Sequence, residues 1–339
     1  MVEPSPPPQQ PLQENVLPVS QPPAAKRVRL PGPVLFLLAL LGLFLALQTT
    51  YLVATPLMSG PDEPDHVAYV HSLAVRWQPP QMGEVRRSPS GHFQPGPITS
   101  NEAQQPPLHY LLLVPLYRVL RLWGYPAAWM GLRLVSVAFG SVVIVLCWLL
   151  ALRLRSHFGV AAFALPLFVG LAPAFLHATS VVSNDALAAL VGVLILLQLL
   201  RTMRAEAHLL DYGLLGILLS LGALTKATTL GWWPGVALAL YLRARQRAAP
   251  FRCILSAATT VLLPILIIAG PWWMWCWKGY GTPFPRAVYR PALAAPNMSA
   301  VQFAFFGLLL LRETMVGTYL PSFALKEFST VSLKAGGAG

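Results

Sequence analysis

The feature that most constrains this chain is a series of apolar runs near membrane-crossing length, from Val34 to Ala54 through to Ile254 to Trp277. A run of about 20 apolar residues is what an α-helix needs to cross the hydrocarbon core. The runs do not alternate, which sets aside a transmembrane β-barrel, whose strands alternate apolar and polar residues. Hydrophobic residues make up 55% of the 339 and charged residues only 11%, a balance that excludes an ordinary soluble domain. The expectation is an all-α, polytopic transmembrane protein with about seven or eight crossing helices.

Charge supplies the direction. The formal net charge is +12. In a soluble chain that would raise nucleic acid as a partner. Here the cations cluster at the ends of apolar runs, where short cytoplasmic loops collect Lys and Arg, and nucleic acid is not expected. Residues 1–30 are rich in Pro and Gln, too poor in apolar side chains to bury a core, and are expected to form a disordered cytoplasmic tail. Residues 31–311 form the expected transmembrane domain, in which 55–106 is a first outer loop, and 312–339 is a polar tail. No closing apolar helix follows, so the chain reads as a fragment of a longer protein or the product of a truncated frame.

In chain order, Val34–Ala54 is expected as the first crossing helix, after Lys26, Arg27 and Arg29. Residues 62–77 carry Val67, Val70, Leu73 and Ala74 at helical spacing, which predicts a short amphipathic surface helix with Asp62 or Asp65 as its cap. Gln78 to Thr99 is a Pro- and Gly-rich loop. Leu108–Leu122 follows a proline pair and is expected as a second surface or re-entrant helix. Further crossings are expected at Tyr125–Leu152, Phe158–Ala178 (with Pro166 and Pro173 able to kink it), Ser183–Leu200, Tyr212–Leu224, Thr229–Leu242 and Ile254–Trp277; 301–311 is apolar but short. From a cytoplasmic N-terminus, this order puts Arg153 and Arg155, Arg201 and Arg204, and Arg243 to Arg252 inside. It puts Asp62, Ser183-Asn184-Asp185, Lys226 and Trp272 to Arg290 together on the outer side.

That side holds the candidate chemistry. Pro61-Asp62-Glu63-Pro64-Asp65-His66 gathers acids and a histidine beside the membrane. Asp185 opens a helix after Asn184, and Lys226 stands between two short apolar segments, where an ionisable residue is a functional candidate. Arg86, Arg87, Glu102 and His109 lie near in sequence or topology. One carboxylate could deprotonate an acceptor or help to hold a divalent cation, Mg or Mn, with Asp62 and Asp185 as the ligands. A Lys or Arg could bind the phosphate of a lipid-linked donor. Each has a plainer role: Asp62, Asp65 and Asp185 as helix caps, Glu63 as a solvated acid, His66 and His109 as packed rings, Lys226 as a snorkelling cation. Trp272, Trp273, Trp275 and Trp277 form an interfacial aromatic belt, with sugar stacking as the alternative. Cys147, Cys253 and Cys276 have no CxxC spacing and are expected as small apolar residues. Asn297-Met298-Ser299 fits the N-glycosylation acceptor pattern.

Pro-Asp-Glu-Pro-Asp-His-Val-Ala-Tyr after an apolar helix, then Glu-Ala-Gln-Gln-Pro-Pro-Leu-His-Tyr, is similar to the first outer loop of GT-C type membrane glycosyltransferases. The branch it resembles includes protein O-mannosyltransferases, lipid A aminoarabinose transferase and related bacterial membrane protein families. Val182-Ser183-Asn184-Asp185-Ala186-Leu187 resembles that group's second acidic motif, and Leu224-Thr225-Lys226 a recurrent Leu-Thr-Lys. The resemblance spans about residues 34 to 285. It implies a polyprenyl-phosphate sugar donor, an inverting transfer, and a multi-pass protein of a bacterial plasma membrane with its site on the outer face. It implies Asp62 as catalytic base with Glu63 beside it, Asp185 positioning the acceptor or a metal, and Lys226 facing the donor phosphate; Asn184, His66 and Gln105 are further substrate-binding candidates. Where some relatives carry a basic residue just before Pro-Pro-Leu, this chain has Gln105. The acceptor is a lipid, a protein or a polysaccharide. The alternatives are a transporter or flippase of a lipid-linked substrate, which would carry its ionisable groups in mid-membrane, and a non-catalytic or truncated scaffold.

Overall fold

The computed structural model describes residues 32–60, 62–80, 85–87, 97–99, 101–204 and 206–285. Expectations about 1–30, 301–311, 312–339, the Asn297 triplet and the side chains of Arg86 and Arg87 concern positions outside what is described.

The described chain is helical, apart from a short antiparallel ribbon, β1 (Val85–Arg87) and β2 (Pro97–Thr99), in register Val85↔Thr99. This ribbon falls inside the stretch expected as plain loop. Four helical stretches are long and apolar enough to cross a membrane: Pro33–Ala54, Tyr125–Leu171, Asp185–Thr202 and Phe251–Ile268. They mark the chain as a membrane protein.

α1 (Pro33–Ala54) starts with proline at its first position, where the missing N–H costs nothing. α2 (Glu63–Arg76) buries Val67, Val70 and Leu73, the expected apolar stripe. α3 (Leu108–Leu120) follows Pro106-Pro107 as expected, but it does not lie apart as a surface or re-entrant piece. It packs between α2 and α4 (Tyr125–Phe158), burying His109, Tyr110, Leu113, Val114 and Tyr117. Arg118 donates to the Ala74 carbonyl from Nε (3.0 Å) and Nη2 (2.6 Å), closing the end of α2 where carbonyls lack helical partners.

α4 is the element around which the rest assembles. Its 34 residues extend about 51 Å, and it runs on past Arg153 and Arg155, where a helix end was expected. α1, α3 and the two helices next described all pack on it. The expected single helix over 158–178 is broken: a 3-10 turn (Gly159–Phe163) leads to α5 (Ala164–Leu171), then α6 (Pro173–Ser180). Pro166 is accommodated early in α5. The break falls at Ala172, held extended (ψ 123) because the Pro173 ring disfavours helical backbone before it. α6 is joined to α1 by Gln48, whose Nε2 donates to Leu176 O (3.0 Å) and Thr179 Oγ1 (2.7 Å).

α7 (Asp185–Thr202) and α8 (Leu209–Thr225) follow, then a 3-10 turn (Ala227–Gly231) and α9 (Trp232–Gln246). The expected last crossing is also split, at Ala269, into α10 (Phe251–Ile268) and α11 (Gly270–Tyr280). Pro271 at the start of α11 again follows the break. α10 lies close along α8, since a Cβ on Gly216 would stand 2.3 Å from Val261 O. Apolar cores form at α2–α3–α4, at α1–α4–α6 and among α7 to α10.

Candidate functional site

One end of the bundle carries a buried framework with a polar patch beside it. The framework is a pair that sequence reasoning missed. Arg133, inside the apolar length of α4, is fully buried and meets Glu63 through Nε–Oε1 (2.7 Å) and Nη2–Oε2 (2.6 Å). Its other hydrogens go to Thr55 O (2.7 Å) and Pro56 O (2.9 Å), and Glu63 Oε1 also accepts from the Val182 amide (3.0 Å). This fork ties the α1–α2 connection, α2, α4 and the turn before α7 into one unit. The signal was present: a lone arginine within an apolar helix needs a buried carboxylate somewhere.

Two expectations are corrected here. Glu63, expected beside Asp62 in catalysis or else as a solvated acid, is fully enclosed with both oxygens engaged. It ties α2 to α4 and to the turn before α7. Asp62 occupies the N-cap position, but in left-handed backbone (φ 52) and with no capping bond from its side chain. A short polar residue tolerates that conformation at modest cost. Asp62 is exposed and its carboxylate has no hydrogen bond or ion pair among the described residues.

Next to the framework, the ends of four elements converge. Asn184, buried just before α7, donates from Nδ2 to Gln105 Oε1 (3.1 Å) and to Thr225 O (3.1 Å) at the end of α8. Its Oδ1 is buried without a partner among the described residues. Lys226, extended after α8, donates from Nζ to Asp185 Oδ1 at the start of α7. Asp185 is therefore the ammonium's partner, half-exposed, rather than a capping residue, and α7 has no side-chain cap bond.

Aromatic and imidazole rings floor the patch. Tyr69 stacks on Tyr110 (centroids 3.8 Å apart) and donates to Gln105 O (3.1 Å). His66 Nδ1 lies 2.8 Å from Tyr110 Oη. Burial, then the Lys226 charge, push the His66 imidazole down to about 3. His109, wholly buried, is likewise pushed down to about 3 by burial first and then by His66, and neither of its nitrogens has a partner among the described residues. Both rings are thus neutral at physiological pH. Burial raises Glu102, assisted by Asp62 and Asp185 and opposed by a hydrogen bond to Gln105 and by Lys226. Asp62, Glu102, Asp185, Lys226, His66 and His109 therefore share one electrostatic neighbourhood. α11 borders it, since Cys276 and Tyr280 act on the Tyr69 hydroxyl.

The structure brings together Gln105, Asn184, Asp185, Lys226 and His66 as a continuous set. Ion binding by Asp62 and Asp185 does not fit the donors. Among the described residues no three His, Cys, Asp or Glu side chains gather to hold a cation, and Asp185 already takes the Lys226 ammonium. Divalent cations favour six or more oxygen ligands. Of the tryptophans, Trp272 is buried and stacks on Trp275 (4.8 Å), while Trp277 is exposed. The cysteines Cys147 and Cys276 are buried and Cys253 is exposed.

No protein-family model matches the chain, and neither a search of curated proteins nor one of solved structures returned a match.

Proposed function

We propose that the chain is a multi-pass membrane glycosyltransferase of GT-C type. It moves a sugar from a polyprenyl-phosphate donor to an acceptor at the outer face of the membrane. The single observation behind this reading is the polar patch itself. An exposed, unbonded carboxylate, Asp62, shares one bundle end with an ammonium, Lys226, and with buried neutral polar groups that have hydrogen-bonding capacity to spare. In the proposed step Asp62 takes the proton of an acceptor hydroxyl. The acceptor oxygen forms its bond to the anomeric carbon as the bond from that carbon to the donor phosphate oxygen breaks. The polyprenyl phosphate leaves with the electron pair, and Lys226 turns from Asp185 to meet its charge. In this reading the split segments α5–α6 and α10–α11, with the shorter helices α8 and α9, complete the seven or so crossings. The N-terminus then faces the cytoplasm of a bacterial cell.

A carrier would need ionisable groups free to act in mid-membrane. Arg133, the charge set inside α4, is instead locked by four hydrogen bonds, which favours the enzyme over the transporter. The test uses the full chain in liposomes with a panel of radiolabelled polyprenyl-phosphate sugars. Release of label by the wild type, lost in Asp62→Asn, supports the enzyme and its base. Folded wild type that turns over no donor refutes it and favours a scaffold.

A further inference from the structure

A second site lies at the opposite end of the same helices. α9 runs away from Lys226 and ends beside the start of α8. There Arg243 donates from Nη2 to Arg204 O (2.9 Å) and from Nη1 to Tyr212 Oη, with its guanidinium 5.6 Å from the Tyr212 ring centre. From this point a groove of about 420 Å³ runs between α8, α9 and α10. Its walls are mostly aliphatic, including Leu240, Ala257, Val261 and Ile265, with Trp233 and Tyr241 among them, and its mouth carries Arg243, Arg247 and Cys253. From Cys253 to Ile265 the wall supplied by α10 is about 18 Å long, comparable with one leaflet of a hydrocarbon core roughly 30 Å thick. α10 turns Leu255, Leu263, Leu266 and Ile267 outward, so its far face is suited to lipid.

One detail selects the occupant. Arg243 Nε is buried and has no acceptor among the described residues. An unsatisfied cationic donor at an apolar groove mouth is costly. We propose that this groove binds one anionic membrane phospholipid. A single acyl chain lies along Leu240, Ala257, Val261 and Ile265, and the headgroup phosphate sits at the groove mouth against the Arg243 and Arg247 guanidinium groups, whose charge it offsets. A zwitterionic headgroup puts a cation beside the arginines and gains less. An acidic peptide satisfies the arginines but has nothing to fill an aliphatic channel. The site is remote from the Asp62 patch and does not depend on the transferase reading.

The test is native mass spectrometry of the full chain released from detergent with equal phosphatidylglycerol and phosphatidylcholine. Wild type is expected to retain one phosphatidylglycerol with about tenfold preference, the factor that one or two arginine contacts supply. Arg247→Gln, at an exposed position that should leave folding intact, reduces the preference, and Arg243→Gln abolishes it. Ala257→Trp, which fills the channel, reduces retention of both lipids. Thiol labelling gives an independent reading, because Cys147 and Cys276 are buried and Cys253 is exposed. Phosphatidylglycerol should slow maleimide labelling of Cys253 several-fold, and phosphatidylcholine should not. Equal retention of the two lipids by wild type, retention unchanged in Ala257→Trp, or Cys253 labelling unaffected by phosphatidylglycerol each overturn the proposal.

Discussion

Arg133→Met should be among the most damaging single changes in this protein, and the structure gives the reason. The substitution nearly keeps the volume but leaves Glu63, at 0% side-chain exposure, with the Val182 amide as its remaining donor. Breaking a buried pair by removing one partner costs about 3–5 kcal/mol. The Thr55 and Pro56 carbonyls lose their donors too, adding about 1 kcal/mol each if no water reaches them. The upper end, about 5 kcal/mol, is therefore expected. The double variant Arg133→Met/Glu63→Leu removes both charges, and apolar replacement of a buried pair is often neutral. It should keep the carbonyl losses, add about 1 kcal/mol for the Val182 amide left without its acceptor, and be about 2 kcal/mol more stable than Arg133→Met. The assay is unfolding of the full chain in mixed micelles by added dodecyl sulfate, followed by circular dichroism and tryptophan fluorescence. A cost below about 1 kcal/mol for the single change, the size typical of an exposed pair, would refute the reasoning. So would a double variant no more stable than the single.

Other expectations follow from neighbouring features. Gly216→Ala forces a Cβ to 2.3 Å from Val261 O and should cost about 1–3 kcal/mol by the same unfolding assay. Gly42→Ala, with nothing within 4 Å, should be neutral or slightly stabilising; equal effects would contradict the close α8–α10 approach. For His66 and His109 the folded values of about 3 lie below the usual imidazole value of 6.5, so the unfolded chain binds more protons between those pH values. Stability is then full above pH 6.5 and falls as pH drops toward 3, by about 2 kcal/mol per histidine at pH 5. His109→Leu should remove about half of that slope, and a pH-independent unfolding midpoint between 7 and 5 would count against the burial of both rings. On the proposed transferase reading, Lys226→Met should lower kcat on a lipid-linked donor about 100-fold, since that reading has its ammonium meet the leaving group; unchanged turnover would remove Lys226 from the proposed mechanism.

Much of the helical layout was legible because burial in lipid and helix formation leave a local mark. α1, α2 and α7 lie within two residues of where apolar spacing put them, since each run is long or periodic enough to decide by itself. The helix ends were less legible. α4 continues beyond Arg153 and Arg155 because arginines are good helix formers and their charge suits a helix C-terminus. The breaks at Ala172 and Ala269 were missed as breaks, although a proline follows each by one or two residues. A proline permits either a kink or a stop, and the neighbouring packing chooses between them.

The polar end divides the same way. Lys226, Asn184, Asp185 and Gln105 could be picked from the sequence because polar residues are conspicuous where apolar ones are the rule, and topology alone placed several of them on one side. That Lys226 pairs with Asp185, that Asn184 bridges Gln105 to Thr225, and that Arg133 reaches across 70 residues to Glu63 could not be picked. The Glu63–Arg133 pair also reverses the sequence reading of the acidic loop: of two adjacent carboxylates, one is the anchor and the other is left free. An all-helical membrane protein with its conspicuous polar residues set between apolar runs can be read from the residues alone, because hydrophobicity and helical periodicity are local properties. Which charges are satisfied and which are spare comes from the packing of the helices, because a buried ion pair depends on the distance between atoms far apart in the chain.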